Sequence, residues 1–206
     1  MVLKKTVSDL DKVADVRRYK RDLEGLLAQL QDADPGVRRW AARDLSAYRE
    51  AAATLCQRLE QEGDPAVREA IATALAKIGG PEVVSGLIEL LRSDDAALRN
   101  LVIEVLQEIP KDLEGQIEGL LRDLDPDVRI FAVNIMGLTT HPKLEQWLIS
   151  VLEEDPHVNV VATALDQLCE IGTEASLPAL ALVRKRFPQD PFILFSAEMA
   201  EKRIKG

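Results

Sequence analysis

Two histidines, two cysteines and a recurring aspartate–arginine pattern are the features of this chain that could carry chemistry. His141 and His157 stand far apart, and neither sits in a His-Glu pair of the kind an iron site would use. Cys56 and Cys169 are lone residues without the Cys-x-x-Cys spacing of a four-ligand zinc site. The chain has no Gly-x-x-x-x-Gly-Lys loop to cradle phosphate, no Gly-x-Gly-x-x-Gly and no Gly-x-Ser-x-Gly elbow. Gly79-Gly80, followed by Pro81, reads as a helix stop. The expectation is therefore no catalytic residue, no metal site and no cofactor, and a protein that is not an enzyme.

Charge and composition narrow the class further. The 206 residues carry 26 basic and 35 acidic side chains, a net charge of −9. Nucleic-acid binders usually show a basic footprint. Here the basic excess is confined to Lys4, Lys5, Lys12, Arg17, Arg18, Lys20 and Arg21 and is interrupted by Asp9, Asp11 and Asp15, the pattern of a solvated helical face. No nucleic-acid partner is expected. No apolar run approaches the roughly 18 residues of a membrane span, and the opening Met-Val-Leu-Lys-Lys-Thr-Val-Ser-Asp lacks the apolar stretch of a signal peptide. These features predict a cytoplasmic protein with reduced thiols and no membrane partner. With 47% hydrophobic but only 4% aromatic residues, a core must be built from Leu, Ile, Val and Ala.

The elements that position these residues are announced by a repeat. Asp34-Pro35-Gly36-Val37-Arg38 recurs as Asp64-Pro65-Ala66-Val67-Arg68 and as Asp125-Pro126-Asp127-Val128-Arg129. Weaker copies begin at Asp95 (with Arg99), Asp155 and Asp190, so the aspartates step by 30, 31, 30, 30 and 35 residues. Aspartate is a good N-cap because its carboxylate accepts from the free amides of the first turn, and proline fits the first helical position, where its missing N–H costs nothing. Each copy therefore opens a helix, called B. Val67, Ile71, Ala74, Leu75 and Ile78 then line one apolar face at helical spacing. An amphipathic helix A precedes each B, as in Leu23–Leu30, Val84–Leu91 and Leu144–Leu152. Such pairs bury their apolar faces only by stacking, which predicts an all-α solenoid, an alpha-alpha superhelix of about six two-helix repeats. The domain boundaries predicted are an N-terminal arm or extra helix over 1–19 and a single repeat domain over 20–206. Cys56 and Cys169 fall in repeats 2 and 5, too far apart for a disulfide at ~8–10 Å per helix layer.

Helical arithmetic separates the faces. With each aspartate counted as zero, offsets 3, 7, 11 and 14 face the core, and offsets 2, 5 and 9 point outward. Offset 5 reads Arg39, Glu69, Asn100, Ile130, Val160 and Phe195; offset 9 ends in Met199 and offset 2 in His157 and Phe192. The outward row thus turns from polar to apolar, and a partner protein is expected on Ile130, Val160, Phe192, Phe195 and Met199, with self-association through the last repeat as a further outcome. Repeat 5 runs two residues long before Ile171-Gly172, and a register shift there would instead bury some of these side chains. Trp40 is expected to stack on the next repeat and Trp147 to lie in the core.

Asp-Pro-x-Val-Arg followed by small apolar residues and Ile-Gly resembles the HEAT-like repeat of the phycobilisome-lyase type, over about nine-tenths of the chain. The resemblance implies a structural ladder between B helices, here Asp34, Asp64, Asp95, Asp125 and Asp155 with Arg38, Arg68, Arg99 and Arg129. Repeat 3 lacks the proline (Ala96), and repeats 5 and 6 lack the arginine (Asn159 and Leu194). The function implied is a non-catalytic interaction scaffold or adaptor. Alternatives are a subunit of a phycobilin lyase or related chromophore-handling complex, and a HEAT-like DNA-repair glycosylase, which the acidic balance disfavours.

Overall fold

A computed structural model describes residues 20–137 and 141–206; the arm expected over 1–19 lies outside the described residues. Within those, every regular element is helical. The described residues divide into two compact units, those up to residue 105 and those from 106 on. The first contains α1 (Leu23–Gln29), α2 (Pro35–Leu45), α3 (Ala52–Gln61, entered through a 3-10 turn), α4 (Pro65–Ile78) and α5 (Gly80–Leu90). The division falls within α6 (Ala96–Glu108). The second unit holds α7 (Pro110–Leu113), α8 (Ile117–Leu120), α9 (Pro126–Gly137), α10 (Leu144–Glu154), α11 (Val158–Ile171), α12 (Leu177–Arg186) and α13 (Pro191–Lys205). Counting α7 and α8 as one broken A helix gives twelve, paired A then B.

Within each unit the pairs form two layers. In the first, α2 packs on α4 and α3 on α5, while α1 covers α2 and α3 covers α4. In the second, α9, α11 and α13 pack in succession as a B layer, and α10 packs on α12. The core follows the predicted stripe: Val67, Ile71, Ala74, Leu75 and Ile78 of α4 are all buried. Two glycine positions matter. Gly79 and Gly80 adopt φ of 57° and 84°, the region glycine enters freely, and turn the chain sharply from α4 into α5. A Cβ on Gly86 would lie 2.7 Å from Cys56 Sγ, so this glycine sets how closely α5 approaches α3.

Five of the six repeated aspartates are caps. Asp34 accepts from Gly36 N (2.8 Å), Asp64 from Ala66 N and Val67 N (2.9 and 3.1 Å), Asp95 from Ala97 N and Leu98 N (2.9 and 3.2 Å), and Asp190 from Phe192 N and Ile193 N (both 3.0 Å). Asp125 accepts from Asp127 N at 2.9 Å.

The arginine ladder departs from the one the resemblance implies at Arg38, which pairs with Glu62 and not with Asp64, whereas Arg68 and Arg129 pair with Asp95 and Asp155. Arg38 donates through Nε and Nη2 to the two carboxylate oxygens of Glu62, both at 2.8 Å. Glu62 lies two residues before the cap and also accepts from Asp64 N at 2.9 Å. The other end of Arg38 donates to the carbonyls of Asp32 and Ala33, at 2.9 and 3.0 Å. One guanidinium thereby closes its own A–B turn and locks onto the next repeat. In the second unit Arg129 does the same, reaching Asp155 Oδ2 and Oδ1 at 2.6 and 3.0 Å and the carbonyl of Asp123 at 2.8 Å. In repeat 3 the residue two before the cap is Ser93, which offers no charge, and Arg68 turns to Asp95 itself at 2.7 Å.

Burial would push the Glu62 carboxyl up, but hydrogen bonds from Arg38, the Asp64 amide and Arg58 outweigh it and hold it at about 2, against an ordinary 4.5. A depressed carboxylate stabilises the fold fully above its unfolded value, and that stability is lost as pH falls through the folded value. Two predictions follow from these contacts. Asp64→Ala should cost about 0.5–2 kcal/mol, the usual loss of an N-cap, measured by urea denaturation. Glu62→Gln should lower stability at neutral pH by about 3–5 kcal/mol by stranding a buried guanidinium. It should also flatten the loss of stability that the native protein shows between about 4.5 and about 2.

Candidate functional site

The outward face of the B layer in the second unit is set by where its three helices start. α9 and α13 start immediately after Asp125 and Asp190, as the repeat predicts. α11 does not start after Asp155. Its N-cap is His157, two residues later, and the imidazole makes no capping bond. The cause is the ladder: Asp155 is engaged by Arg129 and accepts from His157 N at 2.8 Å, so it occupies the place of Glu62, not of Asp64. Counted from His157, core offsets 3, 7 and 11 become Val160, Ala164 and Leu168, all fully buried.

Val160 is therefore a core residue, contrary to the expectation of an outward docking position, and the two-residue extension of repeat 5 is the reason. The outward offset 5 on α11 is Ala162. Ile130 on α9 is half-buried. Phe192, Phe195 and Met199 are 53%, 61% and 43% exposed and form a stripe at i, i+3 and i+7 along α13. The row across the B layer is thus Ile130, Ala162 and Phe195.

The other aromatic and sulfur residues are placed as follows. Trp40 does not stack on the next repeat; it is exposed, with Arg43 of its own helix 5.2 Å from its ring centroid. Trp147 is buried as expected, stacked on His141 with centroids 4.5 Å apart and its indole N–H 3.3 Å from Glu118. Burial, with the Glu82 charge adding, pushes the Cys56 thiol up to about 11. Cys169 Sγ faces the Ser196 carbonyl at 3.7 Å. Among the described residues no group of three or more His, Cys, Asp or Glu side chains is placed to hold a metal, and no helix is long and apolar enough to cross a membrane.

A second surface was not anticipated from the sequence. A groove of about 660 Å³ runs between α8 and α10, lined on its apolar side by Leu121, Leu124, Trp147 and Val151. Arg129 and Asp155 lie at its floor. Leu124 is 100% exposed. The signal was present in the repeat alignment: the position before Asp125 is leucine where Asp34 and Asp64 are preceded by Ala33 and Gly63.

Helices paired A then B, capped by Asp-Pro and clamped by a recurring arginine, define a helix-pair repeat protein. A model of HEAT repeats matches residues 23–107 and 113–190, most of the chain. The chain belongs to the HEAT repeat family. No curated protein matches it. Among solved structures, a HEAT-like repeats protein from the archaeon Thermococcus onnurineus is 19% identical, with 97% of this chain and 93% of that one covered and a TM-score of 0.45. A designed armadillo repeat protein is 17% identical over 89% of this chain and all of that one, at 0.41. The complex of CpcE and CpcF of phycocyanin lyase from Nostoc is 22% identical over 87% and 94%, at 0.33.

The revised register generates a prediction. Val160→Asp should unfold or severely destabilise the second unit, by about 4 kcal/mol or more, because it buries an unpaired carboxylate. Phe195→Asp, on an exposed position, should stay within about 0.5 kcal/mol of the parent. Thermal denaturation of both variants checks the assignment.

Proposed function

We propose that this protein is a non-catalytic scaffold that holds another protein on the outward B-helix face of its second unit, around Phe192, Phe195 and Met199, with Ile130 and Ala162 extending the row. The observation that carries this reading is the stripe of large apolar side chains left exposed on α13. A terminal repeat ordinarily carries a polar outer face, and contiguous exposed apolar surface on a folded domain marks an interaction site. Aromatic residues and methionine are also the types enriched at the centres of protein interfaces. In the first unit the corresponding positions are Arg39, Glu69 and Asn100, all exposed, so the two units differ on this face. The same stripe is available to a second copy of the chain.

The test is affinity capture from native cells with the wild-type chain as bait, compared with Phe195→Asp, Met199→Asp and the control Arg39→Asp. A partner lost with both α13 variants and retained with Arg39→Asp supports the reading. The expected weakening is at least about tenfold in Kd. Normal capture by both α13 variants, with loss on Arg39→Asp, places the site on the first unit and overturns it. Sedimentation of the same proteins separates a foreign partner from a second copy.

A further inference from the structure

The outward B-helix face of the second unit joins two stripes of different character. α11 packs on both α9 and α13. On α13 the outward positions are Phe192, Phe195 and Met199. On α11, counted from His157, the same positions are Asn159, Ala162 and Asp166, and Glu170 follows one turn after Asp166. Asp166 thus falls in the row of Met199, next to the row of Phe195. One stripe is apolar and aromatic, and the helix beside it is polar and acidic. α11 carries no basic residue.

The charges of the three B helices divide by whether they are matched. On α13, Glu198 meets Lys202 at 2.6 Å, Glu201 meets Arg184 at 2.5 Å and also Lys205, and Arg203 donates to the Gly172 carbonyl. The base of α9, Arg129, is buried against Asp155. Asp127, Asp166 and Glu170 are exposed, and among the described residues their carboxylates meet neither a cation nor a hydrogen-bond donor. Asp127 sits in the first turn of α9, where the helix N-terminus offsets its charge. Asp166, in the body of α11, has no such offset. Partial burial pushes its carboxyl up, and no cation stands near enough to oppose the shift. A wholly apolar partner laid over this face would strand that carboxylate away from water, and an acidic one would add repulsion. A cation over α11 satisfies it while apolar side chains cover α13. Adjacent helices lie about 8–10 Å apart, and a helix with its side chains is about 10–12 Å across, so one helix laid along the pair reaches both stripes.

We propose that the occupant of this face is an amphipathic helix of another protein, whose apolar side packs on Phe192, Phe195 and Met199 and whose lysine or arginine edge meets Asp166 and Glu170. This rests on the docking face proposed above and adds the chemistry of the partner. The first unit does not offer the same surface: its corresponding rows carry Arg39 and Arg43 as well as Glu69 and Glu104, and no large apolar side chain.

The test uses a labelled model peptide of about 14 residues built from Leu, Lys and Ala, with leucines on one helical face and lysines along its edge, read by fluorescence anisotropy against the full chain. Two controls replace its lysines by glutamate or its leucines by serine. The native protein should bind the Lys/Leu peptide at least about tenfold more tightly than either control, with affinity falling as salt rises. Phe195→Ser should weaken that binding by a similar factor. Asp166→Lys should weaken it too, and should bind the glutamate peptide about tenfold more tightly than the native protein does. Both positions are exposed, and melting curves confirm that the variants fold. Arg39→Asp should bind as the native protein does. If Phe195→Ser weakens binding while Asp166→Lys keeps the native preference for lysine, the docking face stands and the basic helix is overturned. Equal binding of the glutamate peptide by the native protein overturns it as well. If Phe195→Ser changes nothing, or the native protein binds no peptide, this proposal falls, and the capture experiment alone judges the docking face. A dimer of the native chain that Phe195→Ser dissolves makes a second copy the occupant and overturns the foreign helix.

Discussion

Everything in this molecule is arranged around a guanidinium that must never be left without its carboxylate. Arg38 and Arg129 are almost completely buried, each holding carbonyls of its own turn with one end and the acid of the following repeat with the other. Removing a charge of this kind from water costs several kcal/mol unless every donor is satisfied. Here the donors are satisfied only when two successive repeats stand in one register. The ion pair therefore specifies alignment, while the leucine, isoleucine and valine stripes supply the apolar burial that drives the helices together.

That constraint explains why the fold was legible in the sequence and where the legibility failed. Aspartate before proline, small residues at helical spacing and a glycine stop are local signals, and local signals fix helices. They predicted α2, α4 and α13 with their caps. The same dipeptide at Asp155-Pro156 carries another meaning, because its partner, Arg129, lies 26 residues earlier. A carboxylate taken by a buried arginine is not available to cap, so α11 begins two residues late. The error this induces is confined to one helix, and it turned Val160 from a core residue into an apparent surface residue. The even spacing of the aspartates concealed it: a two-residue extension exactly offset the substitution of one role for another.

The candidate surfaces divide in the same way. Phe192, Phe195 and Met199 could be placed outward because α13 obeys the repeat. The groove between α8 and α10 could not, since its lip is Leu124, a single leucine where Asp34 and Asp64 are preceded by the small residues Ala33 and Gly63. Repeats are built alike where they stack and differ where they need not. Comparison of one repeat with its own sibling is therefore more informative about function than any single residue type.

The close approach of α5 to α3 at Gly86 has a consequence for how the protein can be watched. It presses the Cys56 thiol into a site where burial keeps it protonated to about 11, and a thiol reagent attacks only the thiolate. Cys56 therefore stays silent until α3 and α5 part. The second unit carries its own single thiol, Cys169, set against α13. Cys169 is only half-buried, so it is alkylation of Cys56 that waits on an opening, and its rate reports how often α3 and α5 part.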